Sequence, residues 1–258
     1  MAFHTGGFLE SIDPAASFAN LAALTDDRLF TSGDDLRVPD LNQVIAIAGG
    51  IPSVVACRLR LDSPTLDSLV RYDVEPVNVV SDADVEPGSP QAVVDLRENP
   101  MRLSVDEILH CQTNSNPGSA VAQWCLLWFS DGVVNPVSNQ RIFTARATGS
   151  TTCVADVWNS VNLTLDENLP PGTYQIVGGR FQSATCIAGR YILRTGSQNR
   201  PGALGCDAMG SLNHPMWRGG QLGIWGEFPF TQLPAAEFLT LGTDSAQIVH
   251  MDLIRTGS

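Results

Sequence analysis

Short stretches of alternating apolar and polar residues, separated by turn residues, recur along this chain. Residues 54–62 (VVACRLRLD) alternate apolar and charged side chains from Cys57 to Asp62, and a similar alternation runs through residues 153–166 (CVADVWNSVNLTLD). A period of two is typical of a β-strand with one buried face. Both stretches are therefore predicted to be half-buried strands.

Other stretches are apolar almost throughout. Residues 43–50 (QVIAIAGG) predict a short strand, and residues 121–132 (VAQWCLLWFSDG) predict a strand that is buried on both faces. Further strands, punctuated by glycines, are predicted at residues 173–179, 180–189, 190–194, 221–230 and 247–255. Roughly ten strand candidates at this spacing predict an all-β sandwich or closed barrel.

Two segments show the start signals of helices. Asp13 can cap a helix whose first position is Pro14, and the apolar residues that come next carry this predicted helix to about residue 25. A second short helix is predicted at residues 104–111, where Ser104 and Glu107 have capping-box spacing.

The predicted organisation is an N-terminal arm and one large domain. The arm covers residues 1–42 and includes the first helix, and a single β domain covers residues 43–258. Within that domain, the proline-containing and acidic residues 81–92 predict an exposed loop, and the glycine-rich residues 194–220 predict a long excursion.

Composition narrows the function classes. Of the 258 residues, 43% are hydrophobic and only 16% are charged, which predicts a folded protein. Acidic residues outnumber basic ones by 27 to 15, and every basic residue is Arg. The absence of Lys excludes chemistry that needs a lysine amine, such as Schiff-base catalysis and the P-loop phosphate contact. Without a basic run, direct charge-driven binding of nucleic acid is not expected.

No stretch is apolar for long enough to predict a membrane span. The opening residues MAFHTGGFLESIDP lack the basic region and apolar core of a standard secretion signal, so no export by that route is expected.

Six cysteines are spread along the chain, and none forms a C-x-x-C pair. Most stand among apolar neighbours, which favours reduced thiols in the core, with disulfides as the alternative. They are Cys57, Cys111, Cys125, Cys153, Cys186 and Cys206.

Two arrangements could hold a cation. His250 and Asp252 lie two residues apart on a predicted strand, so both side chains point to one face; a surface pair is the favoured interpretation and a shared metal the alternative. Asp82, Asp84 and Glu86 have the spacing of a calcium loop.

The full calcium-loop pattern fails at two positions. Pro87 stands where the sharp turn needs glycine, and Val93 stands where the pattern has a bidentate acid. The segment is therefore predicted to be a solvated acidic loop, with a weak divalent site as the alternative.

The remaining polar clusters predict no chemistry. The acid pairs Asp26-Asp27 and Asp34-Asp35 are predicted to be exposed loop charges, and His110-Cys111 is predicted to be structural because adjacent side chains rarely aim at one point. No G-x-S-x-G nucleophile motif occurs. We predict no catalytic residue, no cofactor and no metal.

One segment combines large apolar side chains with glycines. Residues 215–230 contain two Trp and two Phe, a composition common in interfaces, although core packing is an equal alternative. Together with apolar residues of the arm, the predicted interface residues are Phe18, Leu21, Trp217, Trp225, Phe228 and Phe230.

A resemblance to a known family rests on the second half of the chain. Residues 169–194 (LPPGTYQIVGGRFQSATCIAGRYILR), a long loop and residues 219–230 (GGQLGIWGEFPF) resemble, in strand rhythm and glycine placement, the jelly-roll capsid proteins of tailless icosahedral viruses. The resemblance covers about residues 120–255. It implies a jelly-roll fold, self-assembly into a virion shell inside the host cell, and partners that are copies of the chain.

This chain departs from many small capsid proteins in having no arginine-rich arm. The resemblance would then imply that a second capsid protein, a separate core protein or an internal membrane handles the genome.

Two other function classes stay open. A lectin-like module would bind carbohydrate through exposed Trp217 or Trp225. A β-sandwich hydrolase would draw its carboxylates from Asp82, Asp84, Asp156 or Asp252.

Overall fold

The computed structural model describes residues 3–38, 40–51, 58–63, 71–74, 77–78, 93–194, 198–206 and 214–257. The chain divides into two units. The N-terminal unit consists of residues between 5 and 132, and the C-terminal unit consists of residues from 133 onward together with Phe3 and His4.

The N-terminal unit is built from strands in two sheets. Its strands are β1 (Phe3–Ile12), β2 (Ala19–Asn20), β3 (Phe30–Ser32), β4 (Asp35–Val38), β5 (Gln43–Ile51), β6 (Leu59–Asp62), β7 (Arg71–Val74), β8 (Val77–Asn78), β9 (Val94–Asp95), β10 (Met101–Arg102), β11 (Glu107–Thr113) and β12 (Val121–Ser130). One sheet has the order β1-β12-β5-β10, with β8 and β9 also on β5, and the other has the order β3-β4-β11-β6-β7, with β2 on β11.

In the described part of the C-terminal unit there are nine strands and one short 3₁₀ turn at Pro215–Trp217. The strands are β13 (Phe143–Gly149), β14 (Trp158–Val161), β15 (Thr164–Leu165), β16 (Thr173–Gln182), β17 (Cys186–Ile192), β18 (Gly202–Cys206), β19 (Gly226–Pro229), β20 (Ala235–Thr240) and β21 (Gln247–Gly257). They lie in the order β14-β20-β17-β18-β16-β21-β13-β15, with β19 also paired to β16.

The C-terminal strand order is that of a jelly roll. Without the small strand β15, the unit has eight strands, and these fall into two antiparallel groups: first-eighth-third-sixth (β13-β21-β16-β19) and second-seventh-fourth-fifth (β14-β20-β17-β18). A short parallel pairing of Phe181 with Gly205 joins the groups. Eight strands in this double Greek-key order define the jelly roll.

The same order occurs in the N-terminal unit. The strands β1, β12, β5 and β10 form one group, and β4, β11, β6 and β7 form the other, which again pairs first with eighth and second with seventh. The predicted all-β jelly-roll class is therefore confirmed, and the chain contains the arrangement twice.

The predicted helix after Asp13 is wrong. The Asp13 side chain does accept a hydrogen bond from the Ala15 N–H (3.1 Å), but Ala15 and Ala16 have φ of 49° and 65°. The Ser17 N–H then donates to the Pro14 carbonyl (2.9 Å) and closes a tight turn. Two left-handed residues in succession build a hairpin-type turn and cannot start a right-handed helix.

The predicted second helix is also replaced by a turn and a strand. The Ser104 N–H donates to Glu107 Oε2 (2.6 Å), as in a capping box, but Asp106 has φ of 57° and the chain then enters β11. Capping-box spacing therefore marks a local turn here, and the pairing of β11 with its neighbours makes the next residues a strand.

The division of the chain differs from the predicted arm and single domain. Residues 3–38 supply β1 to β4, which are integral strands of the two N-terminal sheets. The physical reason is pairing: β1 lies against β12 and β4 against β11, so the supposed arm is needed to complete both sheets.

Buried side chains fill both units as the sequence pattern predicts. Residues 123–130 of β12 are buried without exception, as expected for a strand covered on both faces, while β6 alternates buried and half-exposed residues. The five cysteines that the structure describes are free and buried, and Cys57 lies outside the described residues. Among the described residues, no helix has the length and hydrophobicity that a membrane crossing requires.

Candidate functional site

A polar row crosses the outer side of one N-terminal sheet. Burial alternates along β11, so Leu109 and Cys111 face the core and His110 faces outward. Antiparallel pairing sets Leu109 opposite Leu36 of β4, which brings His110 beside Asp35. On the other side, His110 lies opposite Asp62 of β6.

Two acids and one histidine converge at this row. Asp35 is the first residue of β4, and Asp34 precedes it in the tight turn from β3. One ligand atom from each of Asp34, Asp35 and His110 lies within 4.8 Å of the other two. His110 Nε2 is in direct contact with Asp35 Oδ1, and all three side chains remain partly exposed.

Hydrogen bonds from outside this cluster orient one of its acids. The Asn20 amide donates to Asp34 Oδ2, and Gln112 Nε2 in turn donates to Asn20 Oδ1 (2.9 Å). The bond from Asn20 holds the pKa of Asp34 below its ordinary value, and nearby His110 acts in the same direction. Asp34 is therefore an ionised, positioned carboxylate.

The sequence pattern alone did not predict this cluster. Asp34-Asp35 and His110 are separated by about 75 positions and, taken singly, have the pattern of loop charges and of a structural histidine. Only the pairing of β4 with β11 brings them together, and no local pattern specifies that pairing.

The predicted pair on the last strand has different surroundings. His250 and Asp252 both lie on β21 and share a face, but Asp252 is bound by Arg218 and by the Gly219 N–H. Burial lowers the pKa of His250, and Arg180, Arg218 and Arg146 lower it further. Three guanidinium groups near one imidazole disfavour a bound cation there.

The other predicted acids hold no ligand cluster in the part of the chain that the structure describes. Asp26 Oδ1 accepts from the Arg28 and Leu29 N–H groups (2.7 and 3.0 Å), so it caps its own loop. Asp82, Asp84 and Glu86 lie outside the described residues.

A buried ion-pair network crosses the C-terminal unit. Glu237 on β20 accepts from Arg190 Nε (2.6 Å) and pairs with Arg200 Nη1 (2.8 Å), and the Arg190 side chain is only 1% exposed. The Arg190 guanidinium also lies 4.1 Å from the centre of the Trp158 ring. A charge held this tightly stabilises one arrangement of the strands and is not accessible to a ligand.

The C-terminal unit also carries a groove of about 710 Å³. Its apolar part includes Val133, Ile224 and Trp225. Gln175 Nε2 donates to Glu227 Oε2 (3.2 Å) between the paired strands β16 and β19 in its lining. The polar side chains that line it are Asn135, Ser138, Gln140, Gln175, Asn199, Glu227 and Thr256. Only one of these is charged, which suits an uncharged polar ligand.

The six predicted interface residues divide into two groups. Phe18 and Phe230 are 37% and 41% exposed, and the Phe18 ring is covered in part by the Arg60 guanidinium, 4.1 Å away. Four are buried in the interior of the chain: Leu21, Trp217, Trp225 and Phe228. An interface role for Phe18 and Phe230 stays a prediction.

Comparison with known proteins gives only a distant likeness. No protein-family model matches the chain, and no curated protein sequence matches it significantly. Among solved structures, the chain is similar to the major capsid protein P2 from bacteriophage PM2, at 13% identity and a TM-score of 0.22, over 93% of this chain and 97% of that one. It is also similar to the MCP of STIV, at 9% identity and a TM-score of 0.23, over 99% of this chain and 97% of that one.

The first of these structures is that of a viral capsid protein, the kind of protein that the second half of the sequence resembles. Identities and TM-scores of this size say nothing about what this chain does.

Proposed function

We propose that this chain is a structural subunit that assembles with copies of itself into a closed virion shell, and that it performs no catalysis. The observation that carries the proposal is the jelly-roll strand order, which occurs twice in one chain. Jelly rolls are the recurrent fold of viral capsid domains, and their loops vary freely on a rigid pair of sheets.

Exposed apolar side chains support association. Large apolar side chains are exposed to solvent in both units. Among them are Phe30 and Val105 of the N-terminal unit, which are 66% and 81% exposed. In the C-terminal unit, Val133 and Val154 are 72% and 63% exposed. Burying such side chains against a neighbour removes apolar surface from water and stabilises an assembly.

Of the four acids named for a hydrolase, the two that the structure describes support a structural role. Both oxygens of Asp252 accept hydrogen bonds from the Arg218 guanidinium. Burial raises the pKa of Asp156, which sits in a left-handed turn position. A carboxylate fixed in an ion pair and a turn residue do not form the opposed acid pair of glycoside hydrolysis.

The mass of the purified chain in solution tests the proposal. Light scattering after size exclusion, with negative-stain imaging of the same fraction, is expected to show closed particles of many subunits. A single species of 27.6 kDa at all concentrations would overturn self-assembly.

The groove of the C-terminal unit supports carbohydrate binding as a second candidate function. Its amide and hydroxyl side chains match the hydroxyl groups of a sugar, although the platform predicted from Trp217 and Trp225 is absent because these rings are 0% and 5% exposed. Titration with a panel of oligosaccharides, followed by tryptophan fluorescence, tests it. Binding that Gln175→Ala weakens would support this function, and a flat response across the panel would remove it.

A further inference from the structure

The polar row on the outer side of the N-terminal sheet contains a group of potential metal ligands that plays no part in the proposed shell. It joins one imidazole nitrogen of His110 to carboxylate oxygens of Asp34 and Asp35. The backbone fixes these positions, since Asp35 pairs with Ser32 in the β3–β4 hairpin and His110 lies beside Asp35 on β11. The arrangement therefore results from strand register and needs no loop to close over it.

The distances suit a common metal ion. Metal–nitrogen and metal–oxygen bonds of about 2.0–2.2 Å place neighbouring ligand atoms about 3–4 Å apart. The ligand atoms of Asp34, Asp35 and His110 already lie within 4.8 Å of one another, and His110 Nε2 touches Asp35 Oδ1. Binding would require the partly exposed acid side chains to turn until these separations shorten to about 3–4 Å.

Two amide side chains outside the cluster also orient one of its ligands. Asn20 binds Asp34 Oδ2, and Gln112 binds Asn20, so a chain of two amides holds the carboxylate in its orientation. Partners that orient a metal ligand in this way typically change affinity about 10–100-fold when they are removed.

The donor types select the kind of metal. A mixed set of one imidazole and two carboxylates suits first-row transition ions such as Zn²⁺, Mn²⁺ or Co²⁺, whereas Ca²⁺ prefers six or more oxygens. With Asp35 45% and His110 19% exposed, solvent can reach the cluster and fill the remaining coordination positions. A net charge of −12 on the chain further favours a cation.

We propose that Asp34, Asp35 and His110 form a binding site for a divalent transition-metal ion on the outer face of the N-terminal unit. The site does not depend on the shell role, because all of its ligands come from one chain and one sheet.

Calorimetric titration of the full chain with ZnCl₂, with CaCl₂ as the comparison, tests the site. We expect one Zn²⁺ per chain, little response to Ca²⁺, and binding at least about tenfold weaker in His110→Gln. Asp106→Asn is the matched control, since it removes an exposed charge next to β11 in a left-handed position that Asn tolerates, and it is expected to bind as the unmodified chain does.

Substitution with Co²⁺ identifies the ligands. Visible bands without a thiolate charge-transfer band are expected, because every ligand is nitrogen or oxygen. A thiolate band would place the metal at a cysteine and overturn the assignment, as would unchanged Zn²⁺ affinity in His110→Gln. Asp35→Asn is the second variant if His110→Gln does not fold, and a lack of Zn²⁺ binding by the unmodified chain would overturn the site and leave a simple His110–Asp35 ion pair.

Discussion

The Arg218 guanidinium donates hydrogen bonds to both carboxylate oxygens of Asp252, with Nε 2.7 Å from Oδ2 and Nη2 2.9 Å from Oδ1. Asp252 is almost fully buried on β21, and the pair ties the segment after the 3₁₀ turn to the sheet. Burial alone would raise the pKa of Asp252, but hydrogen bonds from Arg218, Gly219 and Thr144 together bring it below the ordinary value.

We expect Asp252→Asn to lower the free energy of unfolding at neutral pH by about 1.5–3 kcal/mol, the range for hydrogen bonds to charged groups. The pKa is lower in the folded chain than in the unfolded one, so this contribution is complete above the ordinary carboxyl pKa of about 4 and is lost as the pH falls through the lowered value. Urea unfolding from about pH 7 to about pH 2 measures it.

Asp166→Asn is the control for that measurement. Asp166 pairs with Arg146 on the surface, where an ion pair contributes at most about 1 kcal/mol. A loss as large in Asp166→Asn as in Asp252→Asn would contradict the special role of the buried pair.

Removal of Glu237 is expected to destabilise the C-terminal unit strongly. Glu237→Ala leaves the buried Arg190 guanidinium without its carboxylate, which costs about 3–5 kcal/mol. The double variant Arg190→Met/Glu237→Leu removes the charge of the more deeply buried Arg190 together with that of Glu237, so it is expected to recover most of that loss, although Arg200 also loses its carboxylate. Thermal unfolding of both variants checks this, and equal losses would show that packing, not the unpaired charge, is responsible.

Phe230→Ser is expected to weaken assembly and leave folding unchanged. The ring is 41% exposed, so its replacement costs the folded chain little but removes apolar surface from a contact between subunits. Sedimentation of the assembled fraction measures the effect. Gln232→Ala, an exposed change nearby, is the control, and particles of Phe230→Ser as abundant as those of the unmodified chain would exclude this contact.

The buried cysteines are expected to resist thiol reagents in the native chain. Burial raises the pKa of Cys111 and Cys186 well above the ordinary value, so the reactive thiolate is scarce and shielded at neutral pH. Peptide mass spectrometry after brief alkylation locates any labelled site. Labelling of Cys111 or Cys186 at the rate found in denaturant would contradict the described core.

The all-β fold class could be predicted from the sequence, because a period of two and long apolar runs indicate which side chains of a strand are buried. The run at 121–132 became β12, buried as expected, and residues 57–62 contain the alternating strand β6. The cluster of Asp34, Asp35 and His110 could not be predicted, since it depends on which strands pair, and side-chain alternation says nothing about partners.

The segment after Asp13 shows where local signals fail. Asp, Pro and a run of apolar residues match a helix start, yet both alanines adopt the left-handed conformation, which disfavours residues with a Cβ. Burial of Leu21 and Leu24, together with pairing of β2 on β11, outweighs that local cost.

The backbone strain of this turn can be relieved by substituting its two left-handed alanines. Ala15→Asn/Ala16→Gly supplies the residues that a type I′ turn favours, and we expect a gain of about 0.5–1 kcal/mol in the free energy of unfolding. Chemical denaturation measures it. A loss of stability would mean that the two methyl groups make contacts that matter more than the backbone strain.

The strand β1 contributes its first two residues to the C-terminal unit and the rest to the N-terminal unit. The Phe3 ring packs 5.6 Å from the Trp225 ring, and His4 Nδ1 accepts the Arg200 N–H at 3.1 Å, so the C-terminal jelly roll incorporates residues made more than a hundred positions before its own first strand. A growing chain must therefore keep its earliest residues available until its last ones emerge. A fragment that begins at residue 133 would lack Phe3 and His4, and would therefore lose their contacts with Trp225 and Arg200.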